Sequence, residues 1–262
     1  MTPFSEIIKS ITPEGAAFVP DDWQQGRTTY GGMSAALCVA AALRVIPDVP
    51  PLRSAQFTFI GPAAGALRTE CNVLRAGKNS VFVGVDLHGE SGLATHATLT
   101  FAAGRDSKLH YPAREPPTVP QPADCSDFFA GGKGPRFIQH FEVRRAGGQP
   151  PLSGAATPDL LVWMRHRDES ARAGLLGLIA LADALPPAAF TMFAAPAPIS
   201  TMTWSIEIAD PLVAATNVND GWHLMMCRGE YVANGYTCQD MHLWNALGIP
   251  ILMARQTVAL FI

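Results

Sequence analysis

The sequence predicts an α+β fold made of two consecutive, similar units, each a curved antiparallel sheet wrapped around a central helix. Three observations predict it. Residues 31–46 and 174–190 are apolar runs rich in alanine and leucine, a composition that favours helix. Each is followed by several short segments of strand-like composition. FTFIGP (57–62) in the first half is answered by IEIADP (206–211) in the second, a sign of internal duplication. A helix with an apolar face needs a sheet to cover, and a one-sided sheet needs the helix. Two such units can join edge to edge and so remove exposed strand edges. The bland alternative is one irregular α+β domain with chance similarity. The units are expected at 1–110 and 136–262, with a connection at 111–135.

The first helix, GGMSAALCVAAALRVI (31–46), starts on a glycine pair suited to a close backbone contact. Strands are expected at 53–60, 66–75, 80–87 and 93–102, the last two separated by the turn HGESG. The 111–135 stretch holds YPAREPPTVPQPAD and GGKGP, punctuation that suits a connection laid along the surface. The second unit opens near QHFEVRRA (139–146) and DLLVWMR (159–165). After the second helix, strands are expected at 201–208, 222–233 and 236–243. WNALGIP makes a turn, and ILMARQTVALFI closes the chain.

The 262 residues are 48% hydrophobic with a formal net charge of −3, enough for a filled core and against general disorder. No basic run or aromatic–basic interleaving points to nucleic acid. Five cysteines stand far apart with no zinc-like spacing, which fits a reducing compartment. MTPFSEIIKSITPEG has no signal-peptide pattern. The run 31–43 is too short to cross a bilayer. The run 174–190 is interrupted by Asp183 and by Pro186 and Pro187, so no membrane insertion is expected. A cytoplasmic location is the expectation. GxSxG, HxxxH and HExxH are absent, and neither GGKGP nor AGKNSV completes a phosphate loop. Lys78 in AGKNSV is read as exposed in a hairpin. No metal or cofactor is expected.

One acid sits in the second apolar helix. Pro186 and Pro187 must end that helix near Ala184–Leu185, so Asp183 lies in its last turn. A helix C-terminus favours cations, and burial disfavours a charged carboxylate. Both push its pKa upward, towards a general base poised near neutral pH. Alternatively, Asp183 points to solvent from a frayed end.

YGGMSAALCVAAALR (30–44), FTFIGPAAGALRTECNVLRAGKNSVFVGVDL (57–87) and GLATHATLTF (92–101) come first; ALADALPPAAF (180–190), TMTWSIEIADP (201–211) and GIPILMARQTVALF (248–261) follow. In this order and doubling, the chain resembles the double-hotdog acyl-CoA thioesterases related to bacterial thioesterase II. The resemblance covers most of the chain and is weakest over 103–138. It implies a tandem hotdog fold and hydrolysis of acyl-CoA to free acid and CoA, with neither metal nor covalent intermediate. It places the water-positioning Asp, Thr and Gln of that family on Asp183, Thr201 and Gln256. Hotdog sheets often associate further, so a homo-oligomer is compatible with it.

The residues themselves bear on these roles. In LMARQTVAL, alternation puts Gln256 on a face with Leu252, Ala254, Val258 and Leu260, where it is the sole polar member. It could hold the water, fix Asp183, or be a core glutamine bonded to backbone. Thr201 in a regular strand shares a face with Thr203, Ser205 and Glu207, away from Trp204 and Ile206. It reaches the site only if the chain bends there, and Thr203 is its rival. Backbone N–H groups of Gly32 and Met33 at the first helix start are candidates for the oxyanion. Leu37, Leu175 and Ile179, with Met33, are candidate acyl-groove residues, although core packing accounts for them equally well. Laying LATHATLTF on LMARQTVAL sets Ala97 opposite Gln256, and LCVAAALRV on LIALADALP sets Ala42 opposite Asp183. The first half then has no such polar site. Competing functions are a non-catalytic acyl-CoA or lipid-binding protein on the same scaffold, a hydratase, and an assembly protein. A hydratase usually needs an Asp–His pair, and no histidine stands near Asp183 by spacing. Acyl-chain length and pathway are not fixed by the sequence.

Overall fold

The computed structural model describes residues 1–111, 113–130, 134–214, 216 and 218–262. Part of the expected connection, residues 112 and 131–133, therefore lies outside the described residues, as does the Gly-Gly-Lys of GGKGP. A short helix α1 (Phe4–Ser10) and strand β1 (Ala16–Val19) precede a small hairpin, β2 (Gln24–Gln25) and β3 (Thr28–Thr29). Helix α2 (Gly31–Val45) follows, then β4 (Leu52–Phe59), β5 (Gly65–Ala76), β6 (Ser80–Gly89) and β7 (Gly92–Ala102). The second half runs β8 (Ser126–Asp127), β9 (Phe141–Gly148), β10 (Asp159–His166) and helix α3 (Leu175–Ala182). It continues through β11 (Ile199–Ile208), a one-turn helix α4 (Pro211–Ala214), β12 (His223–Ala233), β13 (Tyr236–Asn245) and β14 (Pro250–Leu260).

Twelve strands form one antiparallel sheet in the order β1-β5-β6-β7-β4-β11-β14-β13-β12-β10-β9-β8. The halves meet where β4 pairs with β11, with Phe57 opposite Trp204 and their rings stacked 5.6 Å apart. The edge-to-edge junction expected from the sequence is thus made by the strands carrying FTFIGP and IEIADP. Helix α2 packs against α3 and strands β5, β6 and β7 of its own half. Gly32 through Ala42 are all buried, which explains a helix that is apolar all round rather than on one stripe.

Matching irregularities register the duplication. β4 shifts register against β7 between Leu52 and Ser54, and β11 shifts against β14 between Thr201 and Thr203. Superposing the two bulges makes Leu52 the counterpart of Thr201. Leu99, opposite Ala55, becomes the counterpart of Gln256, opposite Trp204. The ungapped sequence comparison that paired Ala97 with Gln256 is therefore off by two. Its consequence stands: Leu52 and Leu99 are buried apolar residues.

Three elements differ from the sequence expectation. Helix α3 stops at Ala182, with Asp183 as its C-cap, and the rest of the 174–190 run is a 3₁₀ turn over Ala188–Thr191 after the two prolines. QHF of QHFEVRRA is mostly the end of a 3₁₀ turn, so β9 begins at Phe141. The 111–135 stretch does more than connect. Trp163 Nε1 donates to the Pro120 carbonyl at 2.9 Å and Trp244 Nε1 to the Arg114 carbonyl at 2.8 Å. Those tryptophans, with Trp222, Leu224 and Cys125, form a second apolar cluster that also packs Val119. Among the described residues no helix is long and apolar enough to cross a membrane.

His166 is buried between Phe4 and Phe141, and its Nε2 donates to the Gly177 carbonyl in α3 at 2.8 Å. Burial holds its pKa down to about 4, against smaller opposing effects of that carbonyl and Asp168. The unfolded imidazole takes a proton below about pH 6.5, the folded one only near 4, so stability falls as the solution is acidified across that window. Relative to His166→Leu, the wild type is expected to lose up to about 3 kcal/mol of unfolding free energy between pH 7 and pH 4. Urea denaturation of both proteins at the two pH values checks this.

Candidate active site

Helix α2 begins without a side-chain cap: the Tyr30 side chain before it accepts no helix N–H. Its first N–H groups need acceptors from elsewhere. Met33 and Ser34 N–H donate to the Tyr30 carbonyl, and the Gly32 N–H lies at the carboxylate of Asp183, where it favours the ionised form. The acid at the end of α3 therefore faces the start of α2. The unfavourable dipole of one helix end is opposed by the favourable dipole of the other. Glycine is required at this contact. A Cβ on Gly31 would stand 2.7 Å from Asp183 Oδ2, and one on Gly32 would stand 2.7 Å from the Ala180 carbonyl oxygen.

Asp183 Oδ1 accepts from Gln256 Nε2 at 2.5 Å. Burial raises the Asp183 pKa to about 7, and the two hydrogen bonds, from Gln256 and from Gly32 N–H, pull against it. The carboxyl is not sealed. With Gly31, Thr201 and Gln256 it lines a cleft of about 1360 Å³, whose other walls include Phe59, Phe129, Phe137, Leu152, Phe190 and Ile199. Loops from both halves and the end of the 111–135 connection supply those walls, a concave, mostly apolar site with a few polar groups.

The bulge between Thr201 and Thr203 explains the threonine. Along β11 the fully buried positions are Trp204, Ile206 and Ile208, while Ile199, Thr201 and Ser205 are half-buried and Met202 and Thr203 are both exposed. The extra residue switches the phase of alternation, so Thr201 comes to the cleft and its rival Thr203 does not. β14 alternates as expected, with Leu252, Gln256, Val258 and Leu260 buried. The structure thus brings Asp183, Thr201 and Gln256 to one cleft.

The binding candidates fare differently. Gly32 touches Asp183, and Met33 N–H is already bonded to the Tyr30 carbonyl. Met33, Leu37 and Ile179 are at most 1% exposed and belong to the central core, with half-buried Leu175 packed against it. None of the four lines the cleft. Their helices turn them inward because both helices are covered on nearly all sides. Gly31 was missed as a cleft residue, although the Gly-Gly pair marked its place. The cleft aromatics at Phe128, Phe129 and Phe137 come from the segment where the sequence is least patterned.

The fold is that of a tandem hotdog protein, with an acid–amide pair, Asp183 and Gln256, on the wall of a mostly apolar cleft. A model of the acyl-CoA thioesterase N-terminal domain matches residues 19–102, and one of the C-terminal domain matches residues 114–260. The chain belongs to the double-hotdog acyl-CoA thioesterase family. Among solved structures it is similar to a conserved hot dog fold protein of unknown function from Alicyclobacillus acidocaldarius, with 23% identity, a TM-score of 0.88, and 100% of this chain and 99% of the other covered. It is similar also to the acyl-CoA thioesterase II TesB2 of Mycobacterium marinum, with 16% identity, a TM-score of 0.72, and 98% and 97% covered. A tesB protein of Mycobacterium avium subsp. paratuberculosis gives 14%, 0.74, 98% and 97%. At these identities the likeness concerns the fold. No curated protein matches the chain in sequence.

Proposed function

We propose that this protein hydrolyses acyl-CoA thioesters to the free acid and CoA, with Asp183 as general base for water. The observation that carries the proposal is a carboxylate with a pKa of about 7, bonded to Gln256, at the apolar cleft that Thr201 also lines. Family membership supplies the thioester class. Asp183 takes a proton from water, and the hydroxide oxygen bonds to the thioester carbon. Collapse of the tetrahedral adduct breaks the C–S bond, and the proton held by Asp183 passes to the departing sulfur. Gln256 fixes the carboxylate, and Thr201 offers a hydroxyl to the same water. Gly31 N–H, in the first turn of α2 and on the cleft wall, is the donor proposed for the oxyanion, because Gly32 and Met33 are already engaged. The apolar walls take the acyl chain. The division into units at 1–110 and 136–262 remains a proposal about folding, since the sheet itself runs unbroken across β4 and β11.

The test is hydrolysis of C2 to C18 and aryl acyl-CoAs, followed by free thiol. Turnover of at least part of that panel is expected. Binding of acyl-CoA with no thiol release would contradict hydrolysis and favour a carrier on the same scaffold. A base with a pKa near 7 must lose its proton to act, so kcat is expected to fall about tenfold per pH unit below pH 7. A kcat level from pH 5 to 8 would count against Asp183.

A further inference from the structure

Behind Gln256 lies a second buried glutamine that the chemistry above does not use. Gln239, on β13, is 1% exposed and directly opposite Gln256 on β14. Its Nε2 donates to Gln256 Oε1 at 2.7 Å, and its own Oε1 accepts from Ala188 N–H at 2.6 Å. Ala188 opens the 3₁₀ turn that follows the two prolines after Asp183.

These bonds fix one orientation for both amides. A backbone N–H can only donate, so the oxygen of Gln239 must face Ala188. Its NH₂ then faces Gln256, whose oxygen must turn to it, leaving the Gln256 NH₂ for Asp183. The direction of every bond in the row follows from the one obligatory donor at its far end. Without it, Gln256 could present its oxygen to the carboxylate, a repulsive contact.

The first half of the chain shows what the same positions look like where no such row is needed. In the register set by the two bulges, Gln239 and Gln256 correspond to Val83 and Leu99, which also lie opposite each other. Both are buried and apolar, as is Leu52, the counterpart of Thr201. The sheet closes without polar groups at these places. Burying two glutamines in the second half carries a desolvation cost that the row of bonds from Ala188 N–H to Asp183 offsets.

Resting on the reading of Asp183 and Gln256 given above, we infer that Gln239 is a positioning residue for thioester hydrolysis, orienting the Gln256 amide so that it donates to Asp183. Removing its side-chain amide while keeping its volume breaks this order. Gln239→Met loses both the bond to Gln256 and the one from Ala188 N–H; the first loss is expected to lower kcat about tenfold with KM changed less than twofold. The acid limb of the kcat–pH profile moves to higher pH, because the Gln256 bond that favours ionised Asp183 weakens. In a Gln256→Met background, Gln239→Met has no further effect on kcat, since its whole action passes through Gln256. Wild-type kcat and an unmoved acid limb in Gln239→Met, or losses that multiply in the double variant, would overturn the inference.

Gln239→Glu keeps the fold by retaining both volume and the acceptor for Ala188 N–H. Its neutral form still donates to Gln256, and its ionised form does not. It therefore gains an alkaline loss of kcat that the wild type lacks, and a profile identical to wild type would count against the inference. Asp183→Asn, assayed in parallel, separates the two levels. Full turnover there overturns the base assignment and the Gln239 role with it. Loss there with Gln239→Met and Gln239→Glu both unchanged overturns only the role of Gln239.

Discussion

Asp183→Asn is expected to lose about three orders of magnitude in kcat while keeping its fold, the range found when a positioned general base is removed. The amide cannot take a proton from water. It also offers one acceptor oxygen where the carboxylate offers two, so its contacts with Gly32 N–H and Gln256 Nε2 are weaker. The same variant reports on stability. Folded Asp183 holds its proton up to about pH 7, whereas the unfolded side chain releases it near the ordinary value of 3.8. Between those values the folded state binds more protons, so the wild type loses stability as pH rises through the window. The Asn variant has nothing to titrate there. The melting temperature of Asp183→Asn minus that of wild type should therefore grow more positive from pH 5 to pH 8, by an amount reflecting a few kcal/mol at most. A carboxylate kept in an apolar cleft at the expense of stability is what a functional acid looks like. Kinetics and thermal melts at both pH values check the two halves of this prediction.

Gly32→Ala is expected to cost at least about 3 kcal/mol and to abolish turnover, although it adds one methyl group. The new carbon would stand 2.7 Å from the Ala180 carbonyl oxygen and closer still to Tyr30 Oη and Cζ. None of these can give way. Ala180 is in α3, and the Tyr30 ring is fully buried and stacked 4.1 Å from Phe137. Relief requires α2 to move off α3, which withdraws Gly32 N–H from Asp183. Gly84→Ala is the control. Its Cβ would meet only Leu74 side-chain carbons at 3.6 Å or beyond, an ordinary contact. Thermal melts should place Gly32→Ala several degrees below wild type and Gly84→Ala close to it.

The sequence carried the fold because its signals were local. The apolar helices, the alternation of β14 and the Pro186–Pro187 stop each depend on neighbours within a few residues. Asp183 was conspicuous for the same reason, as a lone acid in a greasy helix. What escaped was set by partners distant in the chain. Thr201 was named only through the family resemblance, because the bulge that brings it to the cleft leaves no compositional mark. Gln239 alternates with Thr237, Met241 and Leu243 as Gln256 does among its own neighbours, but its meaning lies in the register between β13 and β14. The dipole acting on Asp183 was half visible: the end of α3 could be read nearby, while the start of α2 comes from 150 residues earlier. The lining guesses Met33, Leu37 and Ile179 failed to reach the cleft because apolar composition does not distinguish a core from a groove.

The most direct measurement sets the titration of Asp183 beside the pH dependence of turnover. Carboxyl ¹³C NMR, assigned by comparison with Asp183→Asn, gives the first; steady-state kcat on a hydrolysed acyl-CoA gives the second. The account predicts one shared midpoint near pH 7. An Asp183 that titrates near 4, or a kcat whose acid limb lies well away from the Asp183 midpoint, would contradict it.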